Sequence, residues 1–325
     1  MQKYLKKHYF TLWLLFGVIL AVRFPSYGST GGLLFPELTT NIGVWLIFLL
    51  QGIALPTSEL AKGYNPKRMH AFVLFWNYII FPIIVGALIF PLSDVISDEL
   101  KKGFWMLAIL PTTVSSAVVF STVSKGNTSN AIFSTVFSNL LSVLFVPTIA
   151  ITYLSVESDV SISPSPLFLK LFLLIIVPLL LGQLIRQKIP KVSSTIANKT
   201  KGTGNWIIIF IVHCAFAESV SSETLTQLGF ISIFKVVLLT VLILLAVSFL
   251  VWWSSILLNL SKEERISAFF CSSQKSIATG LPLITSILAF APSGMDTASV
   301  IIPLMCYHPA QLILAGILSG RWGSN

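Results

Sequence analysis

The 325-residue sequence predicts an all-α polytopic membrane protein: ten transmembrane helices arranged as two inverted five-helix repeats, with the fourth and ninth helices broken. Three observations predict it. Hydrophobic residues make up 55% of the chain and charged residues only 10%, a composition that marks integral membrane proteins. Apolar runs near the roughly 20 residues needed to cross a bilayer recur along nearly the whole length, separated by short polar joints. Two of those runs, in corresponding positions of the two halves, carry clustered polar residues where hydrocarbon is expected.

The apolar spans read as 9–25, 40–57, 69–91, 103–123, 128–153, 166–187, 203–219, 231–259, 263–290 and 297–320. Turn-forming stretches punctuate them, including "PSYGSTGG", "KGYNPKRMH" and "SVESDVSISPSP". The first span follows Lys6 and Lys7 but has no small-residue cleavage site behind it, so it reads as a retained helix and not a secretory signal. No stretch is left over for a soluble domain. Residues 1–155 form the first five-span repeat and 156–325 the second.

Cytoplasmic loops collect Lys and Arg, which sets the orientation. With the amino terminus inside, the inner side receives Lys3, Lys6, Lys7, Lys62, Lys67, Arg68, Lys125, Arg186, Lys188, Lys191, Lys199, Lys201, Lys262, Arg265 and Arg321. The outer side holds Arg23, Lys101 and Lys102 against Asp94, Asp98, Glu99, Glu157, Asp159, Glu218, Glu223 and Asp296. An even number of spans with both termini cytoplasmic satisfies every loop. The net charge of +9 is then topology information, and no nucleic-acid partner is needed to explain it.

Cys214, Cys271 and Cys306 lie in apolar spans without metal-ligand spacing and read as packing residues. No HExxH, no GxSxG and no paired intramembrane carboxylates occur, so an enzyme is not expected. A channel would need a ring of pore-lining groups, which a single asymmetric lysine does not supply.

The fourth span reads "FWMLAILPTTVSSAVVFSTVSKGN", with Thr112, Thr113, Ser115 and Ser116 after Pro111. The ninth reads "FFCSSQKSIATGLPL", with Ser272, Ser273, Gln274, Lys275, Ser276 and Thr279. Proline removes a helical hydrogen bond, and hydroxyl and amide side chains can satisfy the freed carbonyls. Irregular backbone at membrane depth survives only inside protein or beside a water-filled cavity. Ser and Thr also serve as plain packing residues in membrane helices. Paired interruptions at matching positions of two halves, however, point to the binding site of an inverted-repeat transporter. The halves share hydropathy and polar placement, not residue identity. Five spans per half make the second repeat enter the membrane from the opposite side.

"LPTTVSSAVVFSTVSKGNTSNAIFSTVFSN", "CSSQKSIATGLPL" and "MCYHPAQLIL" together resemble the bile acid:sodium symporter family, in its bacterial branch similar to vertebrate solute carrier family 10 member 7. The likeness extends from the first span to the tenth, with Ser-Gln-Lys-Ser as its most specific piece. It implies a panel of spans 1, 2, 6 and 7 and a core of spans 3–5 and 8–10, in which helices 4 and 9 cross at mid-membrane. It also implies sodium-driven symport of a small organic anion by alternating access. No cofactor is implied beyond sodium, and the setting is the lipid bilayer of the cell inner membrane. Relatives in this branch are associated with calcium homeostasis, so the resemblance also admits a non-transporting regulator on the same fold.

For the coupling ion, the resemblance points to Ser115, Ser116, Asn130, Ser134 and Thr135 near a first site, and to Asn77, Ser272, Ser273 and Gln274 near a second. The glutamate that the sodium-coupled members place on the ninth helix is missing. Phe270 or a near neighbour stands in its position, and no acidic residue falls in the crossing.

Substrate or coupling roles fall to Lys275, Thr112, Thr113, Ser276 and His308. A lysine at the bilayer centre costs about 2.5–3.5 kcal/mol on the insertion scale, so Lys275 must face a cavity and have a use. Three uses compete. It receives an anionic substrate; it stands in for a sodium ion and releases a proton during transport; or it bonds carbonyls freed in the fourth helix. His308, opposite Gln311, reads either as a bonded packing residue or as a coupling group near the crossing.

Overall fold

The computed structural model describes residues 2–55, 62–92, 95–158, 164–200, 202–223, 229–289 and 296–324. Among these residues the chain is helical throughout, with no strands. Asp94, Asp159 and Lys201, which contribute to the orientation argument, lie outside the described residues.

Among the described residues, seven helices are long and apolar enough to cross a membrane: Pro36–Ala54, Lys67–Leu92, Thr128–Tyr153, Leu169–Lys188, Thr203–Ser221, Ile231–Ile256 and Thr297–Ser324. An eighth span results if Asp98–Ile109 and Val114–Val123, bent by 56° at their junction, count as one. The protein is a multi-pass membrane protein. The expectation of ten is thus met as far as seven or eight. The first expected span falls in the 22-residue helix Gln2–Arg23, of which Leu12–Arg23 is the apolar part among the described residues, below the length counted as a crossing. The ninth is divided into two twelve-residue helices, Lys262–Ser273 and Ile277–Leu288, each short of a crossing by itself.

The chain separates into two compact units: Met1–Leu55, Leu169–Phe230 and Gly294–Ser299 form one, and Pro56–Phe168, Ile231–Ser293 and Val300–Asn325 the other. The first is held by close backbone approach between helices Pro36–Ala54 and Val177–Lys188. A Cβ on Gly52 would lie 2.3 Å from Leu179 O, and one on Gly182 would lie 2.4 Å from Leu49 O. Small residues let membrane helices touch this way, where dispersion replaces the hydrophobic drive. Gln183 Nε2 donates to Gly52 O at 2.5 Å, and Arg186 Nη1 donates to Ile53 O at 2.7 Å. These side chains satisfy carbonyls that the end of helix Pro36–Ala54 leaves without helical partners.

In the second unit the ninth-span segment starts at a capping box. Ser261 Oγ accepts from Glu264 N at 3.2 Å, and Glu264 Oε2 accepts from Ser261 N at 2.9 Å, a signature legible in "SKEE". The helix then runs into the protein interior, with Ile266 through Ser273 all buried.

Candidate functional site

Two breaks meet inside the second unit. Helix Asp98–Ile109 ends at Leu110, whose backbone is extended (φ −66°, ψ 153°), and helical structure resumes at Val114. Pro111 explains the stop: it has no N–H and pushes the residue before it out of the α region. Helix Lys262–Ser273 ends at Gln274 (φ −104°, ψ 145°), and Ile277–Leu288 begins after Ser276, whose hydroxyl caps Thr279 N at 3.1 Å. Ser276 N donates to Pro111 O at 2.9 Å, joining the two unwound segments directly.

Lys275 lies at this junction with 0% of its surface exposed. Its Nζ donates to Ala108 O at 2.8 Å, Leu110 O at 2.8 Å and Asn77 O at 3.1 Å, and sits 4.1 Å from the centroid of the Phe81 ring. Each carbonyl is free for a local reason. Ala108 O loses its helical partner because Thr112 N turns instead to Ser138 Oγ, at 3.5 Å. Leu110 is already extended. Asn77 lies in a π-helical turn, Trp76–Ile80, in which Phe81 N bonds Trp76 O; the next nitrogen is that of Pro82, which has no hydrogen to give Asn77 O. The amine also lies at the carbonyl end of helix Asp98–Ile109, where the helix dipole favours a cation.

Gln311 holds the Lys275 backbone. Its Oε1 accepts from Lys275 N at 2.7 Å, and its Nε2 donates to Lys275 O at 2.8 Å. The same amide nitrogen lies 3.0 Å from His308 Nδ1, which brings His308 to the edge of the junction. Tyr307 donates to Ser273 O at 2.8 Å.

A second network ties the breaks to helix Thr128–Ser158 through Asn139. Its Nδ2 donates to Thr112 O at 2.8 Å and Thr135 O at 2.7 Å, and its Oδ1 accepts from Thr279 Oγ1 at 2.6 Å. Sequence reasoning missed Asn139, Tyr307 and the ring of Phe81 and noted Gln311 only as the neighbour of His308. The available signal was polarity alone: an amide or hydroxyl in mid-span is a functional or structural commitment.

The expected ion ligands distribute unevenly. Ser116 donates to Gln274 Oε1 at 2.7 Å, so these two are brought together, while Ser115 is exposed. Asn77 Nδ2 donates to Cys271 O at 3.1 Å. Asn77 Oδ1, Thr112 Oγ1, Ser272 Oγ and Gln274 Nε2 are buried and have no hydrogen-bond partner among the described residues. Thr113 is buried beside the first break, without a capping bond from its side chain. Ser273 Oγ donates back to Phe269 O, and Thr135 Oγ1 to Ile132 O. Ser134 Oγ lies 2.6 Å from His70 Nδ1, and Asn130 N donates to Asn127 Oδ1, so their bonds run to other parts of the unit.

Phe270 packs in an aromatic cluster, its ring centroid 5.8 Å from Phe120, 5.2 Å from Phe269 and 5.6 Å from Trp322. None of the twelve Asp and Glu residues lies between Glu99 and Glu157 or between Glu264 and Asp296.

The profile of the SBF-like CPA transporter family matches residues 8–324. The chain belongs to this family. Among individual relatives, the sodium/bile acid cotransporter 7 of Danio rerio is 29% identical over 94% of this chain and 92% of its own length. The mouse protein of the same name is 28% identical over 94% of this chain and 91% of its own length. An uncharacterized protein of Pseudomonas aeruginosa is 29% identical over 96% of this chain and 92% of its own length. Membership in a transporter family accords with a junction built of freed backbone groups and polar side chains.

Proposed function

We propose that the chain is a secondary active transporter that moves a small organic anion by alternating access. The observation that carries the reading is the direct joining of two unwound segments, Leu110–Thr113 and Gln274–Ser276, around a fully buried lysine. Broken helices at membrane depth are how transporters expose backbone groups to a substrate. A fixed positive charge favours an anion as cargo, and relatives named as sodium/bile acid cotransporters accord with that class.

The finer architecture of the reading is ten helices in two inverted repeats, 1–155 and 156–325, with spans 1, 2, 6 and 7 as a panel and the remaining spans as a core. The separation of residues 1–55 and 169–230 from residues 56–168 and 231–293 as compact units supports that division. Under the same reading the protein lies in the inner membrane with both termini cytoplasmic, supported by the Lys and Arg content of the inner joints.

Sodium symport is the family mode implied by the resemblance, but the residues of the junction do not fit a bound sodium ion. Phe270 or a near neighbour stands where the resemblance places a carboxylate, and the Lys275 amine already holds the freed carbonyls. Two unit charges about 4 Å apart repel by about 4 kcal/mol at an effective dielectric constant of 20.

The test is uptake into proteoliposomes of purified protein, using a radiolabelled bile acid and a panel of simpler carboxylates and sulfates. Accumulation or counterflow of at least one anion, lost in Gln311→Ala, is the expected result. If no member of the panel moves, and none shifts the thermal midpoint of the protein, the transporter reading is wrong.

A further inference from the structure

We infer that Lys275 is a built-in cation: its ammonium takes the place at the helix junction that a coupling sodium ion would fill, so the anion moves without sodium binding there. The consequence for coupling rests on the transporter reading above, whereas the placement of the cation does not.

Three oxygens converge on one point, Ala108 O and Leu110 O at 2.8 Å and Asn77 O at 3.1 Å. Backbone carbonyls converging on a point are what proteins offer a hard monovalent cation in place of its water. Three acceptors also require three N–H groups. An ammonium has three and a neutral amine two, so the full set is satisfied only by the charged form. The Phe81 face, 4.1 Å away, adds a fourth attractive contact of the kind aromatic rings make with cations.

The surrounding residues agree with a permanent occupant. Gln311 bonds both the N–H and the C=O of Lys275, which holds the root of the side chain in place. At or beside the position where the resemblance places a carboxylate, Phe270 is locked among Phe120, Phe269 and Trp322. With one positive charge instead of several, the junction has no use for an acid there. A sodium ion couples transport because it enters and leaves. A tethered ammonium does neither, so it keeps the broken helices joined without linking their movement to a sodium gradient.

The test needs no substrate. The thermal midpoint of purified protein is followed through a sodium titration at constant ionic strength, with potassium and choline as controls, for wild type and Lys275→Ala. The expected result is a wild-type midpoint that is the same in all three salts. Lys275→Ala should have a midpoint lowered by several degrees and raised again by sodium but not by choline, because a ligand that binds only the native state stabilises it increasingly with concentration. A sodium-specific rise in wild type overturns the inference, as does a folded Lys275→Ala with no cation response. If the variant does not survive purification in choline, it is prepared in sodium: recovery there supports the inference, and loss in both salts overturns it.

Flux provides a separate arm. Anion uptake by wild type without a sodium gradient supports the built-in cation, and uptake that requires sodium overturns it. Absence of any uptake speaks against the transporter reading alone, and the midpoint measurements still decide the inference.

Discussion

Gln311 grips Lys275 at two points, accepting from its backbone N–H at 2.7 Å and donating to its carbonyl at 2.8 Å. The pair does for the unwound segment what the next helical turn would have done: it satisfies a buried donor and a buried acceptor that the break at Gln274–Ser276 leaves open. Each such group, stripped of its partner, costs about 1–3 kcal/mol. Gln311→Leu therefore destabilises the protein by about 2–6 kcal/mol. Gln311→Glu, which can accept but not donate when ionised, also loses stability. Thermal unfolding in one detergent condition is the check, and a Gln311→Leu midpoint equal to wild type contradicts it.

Asn139 and Thr279 give a cleaner measurement of how the breaks are tied to helix Thr128–Ser158. The Thr279 hydroxyl donates to Asn139 Oδ1 at 2.6 Å while the Asn139 amide bonds two carbonyls. A double-mutant cycle of Thr279→Val and Asn139→Leu should show coupling of about 1 kcal/mol, with Asn139→Leu the costlier single change. Additive effects would mean that the two groups do not act together.

Phe270→Glu places an acid at or beside the position where the resemblance expects one. Beside Phe120, Phe269 and Trp322 the carboxylate would have no aqueous route to solvation, and an unpaired buried charge costs several kcal/mol. The single variant is expected to unfold at a clearly lower temperature than wild type. Combined with Lys275→Ala, it should regain stability in sodium to a greater degree than Lys275→Ala alone. Thermal midpoints of the two variants in sodium and choline decide this.

Gly52 and Gly182 bring two helices together with no room for a methyl group. Gly52→Ala and Gly182→Ala each force backbone apart, a cost typical of overpacking at about 1–3 kcal/mol. Gly204→Ala, where a Cβ would meet open space, is the control and should leave the midpoint unchanged. Equal behaviour of all three variants would remove close packing as the reason for the first two glycines.

Reporters and thiol labelling test the proposed orientation. A carboxyl-terminal reporter that is active only in the cytoplasm should report, and one that is active only outside should not. Cysteine placed at Lys191 should be shielded from impermeant thiol reagents in intact cells, because the proposed orientation puts the Lys- and Arg-rich joints inside. Labelling at that position reverses the topology.

Composition and local chemistry determined a large share of this protein. Apolar runs of about 20 residues cross hydrocarbon as helices, which satisfy their own backbone, and Pro111, the "SSQKS" run and the capping box at Ser261 are local events that mark where helices stop and start. The polarity of the two breaks is visible in the sequence itself. Tertiary structure decided what the breaks are for. The carbonyls that receive Lys275 lie 165, 167 and 198 residues away in sequence, and one of them is free only because a π-helical turn shifts the register of Asn77 against Pro82. No local pattern encodes which distant carbonyl an ammonium will meet. That choice follows from how buried helices pack, and packing depends on the shapes of many side chains at once.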